Sequence, residues 1–120
     1  MRKKLSLIMI VKNEEARLGN LLSDVQGLAD EIIVADTGSD DRTREIAAAA
    51  GAQVFNIPWE DDFSKARNAA LARAKGDFIL WLDADDRVSA EDAKHIRSTV
   101  DKAGKNDVFT VEIINTSKEG

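Results

Sequence analysis

Asp83-Ala84-Asp85-Asp86 sets three carboxylates within four residues, directly after the wholly apolar run Phe78-Ile79-Leu80-Trp81-Leu82. Such a run, preceded by Gly76-Asp77, has the pattern of a strand buried on both faces that delivers acidic side chains at its carboxyl end. In open parallel α/β sheets, ligands bind just beyond those ends. Clustered carboxylates there can hold a hard divalent cation, and that cation can in turn hold a diphosphate. A solvated acidic turn has the same local composition. What else reaches that edge decides between the two.

The elements that must position these aspartates alternate along the chain. Leu5-Ser6-Leu7-Ile8-Met9-Ile10-Val11 reads as a first buried strand. From Glu15 to Val25, residues Leu18, Leu21, Leu22 and Val25 share one helical face, and Gly27 suits the stop. Glu31 to Asp36 is a second strand, followed by the turn Thr37-Gly38-Ser39-Asp40. A helix is expected from about Asp41 to Ala50, then a strand over Gln53 to Ile57 ending at Pro58. After the acidic loop Trp59 to Phe63, Ser64 can cap a helix reaching Ala74. Ser89 and Asp92 fit a capping box for a last helix with Ala93, Ile96, Val100 and Ala103 inward. Val108 to Ile114 reads as a fifth strand. The order βαβαβαβαβ predicts a three-layer α/β/α domain with a mostly parallel sheet. The pattern leaves the strand order open.

Composition removes several functions. The 120 residues suit a single domain, and the net charge of −5 argues against non-specific nucleic-acid binding. With no cysteine and a single histidine, thiolate sites, disulfides and multi-histidine zinc chemistry are excluded. No apolar stretch approaches the roughly 20 residues that span a bilayer. The basic start Arg2-Lys3-Lys4 mimics a signal peptide, but the apolar run passes into Lys12-Asn13-Glu14-Glu15 with no small-residue cleavage site. A cytoplasmic location is the expectation, with the inner membrane face as a variant of it.

Three strand ends carry polar clusters: Lys12-Asn13-Glu14, Asp36 to Asp41, and Asp83 to Asp86. A parallel sheet brings all three to one edge. Glycine-rich dinucleotide and Walker-type loops are missing. Read as an EF-hand, the aspartates would need glycine where Val88 stands and glutamate where Lys94 stands. His95 falls mid-helix off the apolar stripe, as a surface residue would. Aspartate-nucleophile phosphatases carry their paired aspartates after the first strand, not the fourth.

Taken together, Asn13-Glu14-Glu15, Glu31 through Thr43, Ala66-Arg67-Asn68 and Gly76 through Asp86 resemble family 2 glycosyltransferases of the GT-A fold, in order and spacing. The resemblance implies a nucleotide-sugar site. Asp36 matches the position that contacts the base, Arg67 a residue near the diphosphate, and Asn13 and Glu14 the nucleotide pocket. Asp83 and Asp85 match the D-x-D pair, the first near ribose and metal, the second a ligand of Mn²⁺ or Mg²⁺. Ile10-Val11-Lys12 replace the family's usual Pro-Thr/Ser-Tyr, and Asp36-Thr37 its aspartate doublet. Both departures bear on base and sugar preference. They resemble a bacterial branch that often carries appended repeat domains.

By that resemblance the catalytic base that deprotonates the acceptor hydroxyl lies beyond Gly120, and residues 1–120 correspond to the donor-binding half. The expectation is the nucleotide-binding part of an inverting, metal-dependent transferase using a UDP-sugar, inactive alone, with a saccharide, lipid or protein acceptor. A non-catalytic nucleotide-binding or assembly module of the same fold is the alternative. An unpaired edge beside the fourth strand would invite a homodimer.

Overall fold

The computed structural model describes residues 4–58 and 63–102. Its elements are β1 (Leu5–Val11), α1 (Leu18–Asp24), β2 (Glu31–Asp36), α2 (Thr43–Ala49), β3 (Gln53–Asn56), α3 (Phe63–Leu71), β4 (Phe78–Trp81) and α4 (Ala90–Lys102). The expected fifth strand, Val108 to Ile114, lies outside the described residues. No described helix is long and apolar enough to cross a membrane.

The four strands run parallel in the order β3-β2-β1-β4. β1 therefore occupies the interior of the sheet, with Val11 opposite Asp36 on one side and Ile8 opposite Trp81 on the other. Its alternate residues feed two cores, as strand geometry requires. Leu5, Leu7, Met9 and Val11 pack with Leu18, Leu21 and Leu22 of α1, Ala47 of α2, and Ile96 and Val100 of α4. Ile8, with Ile33 and Ala35 of β2, packs against Ala70 of α3, and Ile10, Phe55, Ile79 and Trp81 join that second core. Helices thus cover both faces, which is why β1 and β4 read as continuous apolar runs.

Helix boundaries depart from expectation where side chains take over from helical turns. α1 begins at Leu18 instead of Glu15, because residues 15–17 form a turn closed by the Leu18 amide on the Glu14 carbonyl at 2.9 Å. α2 begins at Thr43 instead of Asp41. The Asp41 carboxylate caps it, accepting the Thr43 amide at 2.9 Å and the Thr43 hydroxyl. α3 ends at Leu71 instead of Ala74, its last carbonyls taken by the tighter turn through Ala74. Ser89 caps α4 as expected, its hydroxyl oxygen accepting the Asp92 amide at 3.0 Å.

The amino edge of the sheet is tied by buried polar groups. Ser6 is fully buried within β1. Its hydroxyl donates to Glu31 Oε2 at 2.5 Å and accepts the Gly76 amide at 2.9 Å. The same Glu31 oxygen accepts the Lys75 amide at 2.6 Å. Burial works against the Glu31 charge, but the Ser6 hydroxyl, the Lys75 amide and charge, and the Gly76 amide outweigh it and hold its carboxyl below the usual range. Gly76 is required by this close approach: a Cβ there would lie 2.5 Å from Ser6 Oγ and 2.9 Å from the Ser6 nitrogen. Gly76→Ala is expected to destabilise the chain by about 1–3 kcal/mol, the range of overpacked sites. Urea unfolding checks this, and a midpoint equal to wild type would refute the close approach.

Candidate functional site

The carboxyl ends of β2, β1 and β4 emerge side by side, as the parallel order demands. Two of the loops leaving them are joined directly. The Asn13 amide donates to Ser39 Oγ at 2.9 Å, the Glu14 amide to Thr43 Oγ1 at 2.8 Å, and the Asp40 amide to Asn13 Oδ1 at 2.7 Å. In the other direction Glu15 Oε1 accepts the Arg42 amide at 3.0 Å. Thr37 binds the last carbonyl of β1, Val11, through its amide and its hydroxyl, both at 3.0 Å. Asn13 adopts a left-handed backbone, φ 52°, one of the few non-glycine types that does so readily. The Asn13 side chain and the Glu14 backbone therefore brace two loops against each other.

Asp36 lies inside this brace with no exposed surface. Its Oδ1 accepts the amides of Gly38 at 2.9 Å and Ser39 at 2.8 Å, while Oδ2 is buried without a hydrogen-bond partner among the described residues. Burial raises its carboxyl pKa. The Ser39 hydroxyl, the Ser39 and Gly38 amides and the Arg44 charge outweigh that effect and hold it below the usual range. Asp36 shapes the turn from within, and Thr37 is the half-buried residue of that turn lying over the end of β1.

The aspartate motif forms its own turn. Ala84 is buried at 2% exposure, whereas Asp83 beside it is exposed and the Asp85 side chain 33% exposed. The Asp83 amide donates to Asp86 Oδ2 at 2.8 Å, and the Asp86 amide to the Asp83 carbonyl at 3.0 Å. Asp86 thus closes the turn, leaving Asp83 exposed and Asp85 partly so. The structure also brings up contacts that the sequence did not mark. Arg17 reaches within 4.0 Å of Asp85. The Arg67 guanidinium stacks over the Trp81 ring at 4.6 Å, at the carboxyl end of β4. Neither contact has a local signal, because each joins residues far apart in the chain.

Among the described residues no three acidic or histidine side chains gather into a metal cage. Two exposed or partly exposed carboxylates with oxygen donors suit Mg²⁺ or Mn²⁺ that arrives with oxygen ligands of its own, such as a diphosphate. The donor set therefore fits a divalent cation shared with a ligand.

Asp24, Glu31 and Asp36 all have carboxyl pKa values below the ordinary range. Such groups stabilise the fold fully above their unfolded values, and the contribution is lost as pH falls through the folded ones. Stability is expected to decline below about pH 4, and Asp36→Asn to flatten part of that decline in urea melts at successive pH. Asp36→Ala leaves two turn amides without an acceptor and is expected to cost about 1–3 kcal/mol.

Known proteins share this architecture. The profile of Glycosyl transferase family 2 matches residues 6–119. A TPR repeat-containing protein of Synechococcus elongatus is 48% identical over 99 residues, covering 82% of this chain and 25% of that protein. The crystal structure of S. aureus TarS superposes with a TM-score of 0.70 at 28% identity, over 82% of this chain and 32% of its own. Glucosyl-3-phosphoglycerate synthase of Mycobacterium tuberculosis, in complex with Mn²⁺, uridine diphosphate and glucosyl-3-phosphoglycerate, superposes with a TM-score of 0.61 at 27% identity, over 71% of this chain and 36% of its own. The chain spans 25% to 36% of the length of these proteins. With its parallel sheet, covered faces and a profile match along almost its whole length, the chain belongs to glycosyl transferase family 2 and has the GT-A type of α/β fold.

Proposed function

We propose that this chain binds the nucleoside diphosphate of a sugar donor, with uridine as its base, and serves the leaving-group side of an inverting glycosyl transfer to an acceptor hydroxyl. The observation that carries this reading is the aspartate turn. Asp83 and Asp85 stand on either side of buried Ala84, at the same sheet edge as Arg67 and the braced loops. The structure of the M. tuberculosis synthase with Mn²⁺ and uridine diphosphate supports the pairing of metal and nucleotide.

Each residue then has a physical task. Asp85, with Asp83 beside it, would hold Mn²⁺ or Mg²⁺, and a cation so held stabilises the charge that builds on the departing diphosphate. Arg67, its guanidinium already oriented by Trp81, adds a fixed positive charge near that diphosphate. Asn13, Glu14 and Asp36 keep the two loops closed at the nucleoside end, with Asp36 acting through the turn that it shapes. The cation also offsets the repulsion between an anionic donor and a chain of net charge −5. These groups serve the donor side, and none of them activates the attacking hydroxyl.

Calorimetry with UDP and GDP, with and without Mn²⁺, tests the reading. Wild type is expected to bind UDP in a Mn²⁺-dependent way, and Asp85→Ala to lose that dependence. Binding that is absent, or indifferent to the metal, would point to a non-catalytic module. Arg67→Ala is expected to weaken Mn²⁺–UDP binding about tenfold, the loss of one charge-assisted contact. An unchanged dissociation constant would remove Arg67 from the site.

A further inference from the structure

The aspartate turn is followed at once by a cation, Arg87. Arg87 and Asp85 line the same cleft of about 420 Å³, together with Arg17, Asn20 and Ala84. A guanidinium there is a ready competitor for a divalent cation, since it is permanently charged and offers only donors. The fold holds it elsewhere. Asp24, the last residue of α1, accepts Arg87 Nε at 2.6 Å on Oδ2 and Nη2 at 3.1 Å on Oδ1. This two-pronged geometry is the strongest that a guanidinium and a carboxylate form. The same Oδ2 accepts the Val88 amide at 3.0 Å, so the chain leaving the turn is pinned as well. The Asp24 side chain is 15% exposed and that of Arg87 52%. The acceptor is packed in place, and the more exposed arginine is brought to it.

We propose that Asp24 is a positioning residue that sequesters Arg87, keeping its guanidinium off Asp83 and Asp85 so that the turn stays open to a divalent cation. This rests on the nucleotide–metal reading above. Asp24 touches neither metal nor nucleotide and acts through Arg87. Without that partner, Arg87 stands one residue from Asp86 and two from Asp85, in a cleft whose carboxylates attract it. Arg17 does not substitute for the competitor. Its side chain is 63% exposed and 4.0 Å from Asp85, a pairing that water and salt screen.

The test is calorimetric titration of UDP with and without Mn²⁺, with thermal melting run in parallel, on wild type, Asp24→Asn, Arg87→Ala, the double variant and Asp85→Ala. The Asp24→Asn carboxamide still accepts the Val88 amide but no longer carries the charge that holds Arg87. It is expected to weaken Mn²⁺-dependent binding about tenfold, the effect of one competing charge at a half-exposed site. Arg87→Ala alone is expected to bind as wild type, and adding it to Asp24→Asn to restore the affinity. Arg87→Lys gives a second route with Asp24 intact: it keeps the charge but loses the fork, so metal-dependent binding weakens where Arg87→Ala does not. Unchanged binding in both Asp24→Asn and Arg87→Lys would overturn the proposal. So would a loss in Asp24→Asn that Arg87→Ala fails to restore, because Asp24 would then be a structural brace only. Wild type that ignores Mn²⁺ overturns this inference together with the reading beneath it. Wild-type binding lost in Asp85→Ala but kept in both Asp24→Asn and Arg87→Lys overturns the inference alone.

Discussion

β1 is hydrogen-bonded to β2 on one side and β4 on the other, with a packed core against each face. An unpaired amide or carbonyl in such a strand has no water to turn to, so its register with both neighbours is obligatory. Parallel pairing then forces each connection to cross over the sheet through a helix. The carboxyl ends of β2, β1 and β4 must consequently emerge on one edge. Within the paired stretch a polar side chain such as Ser6 needs a partner of its own, and the polar loops from Lys12, Thr37 and Asp83 begin where pairing stops.

The two edges of the sheet use acidic residues differently. At the amino edge Asp30, Glu31 and Asp77 take backbone amides: Asp30 Oδ2 accepts Leu5 at 2.7 Å, Glu31 accepts Lys75 at 2.6 Å, and Asp77 Oδ2 accepts Lys4 at 2.9 Å. At the carboxyl edge Asp36, Asp41 and Asp86 do the same within their own turns. Much of this chain's acidity is therefore architectural. Asp83 differs in being exposed, and Asp85 in keeping a third of its side chain exposed beside buried Ala84. The same side-chain chemistry is turned inward onto amides in one place and left toward solvent in another.

Cations are distributed with similar economy. Arg97 ties α4 to the segment before β2, donating to the Leu28 carbonyl at 3.0 Å and to Asp30 at 3.1 Å. Arg87 is drawn to Asp24, Arg67 lies over Trp81, and Arg73 lies over Phe55 at 3.9 Å. Each of these four guanidiniums has a partner distant in sequence, although Arg97 also pairs with Asp101 four residues on. In a site built from carboxylates, where an arginine points matters as much as its presence.

Much of the architecture was legible in the residues themselves. Alternating apolar runs and amphipathic stretches announce a parallel α/β sheet, because buried strands and one-sided helices have different periods. The polar clusters at three strand ends fall on one sheet edge, as a parallel order demands, with Asp83 and Asp85 among them. Helix starts were less legible, since Asp41 and Glu15 look alike as first-turn residues until one sees which amides they accept. Asp36 reads as a ligand contact in the linear motif, yet it lies sealed inside its turn. Element types, the crossover class and the carboxylates at the edge follow from local pattern and burial. Strand order, the inward turn of Asp36, and the pairing of Arg67 with Trp81 and Arg87 with Asp24 emerge only once the chain is folded. Those contacts join residues 14 to 63 positions apart, and no local preference encodes a partner at that distance.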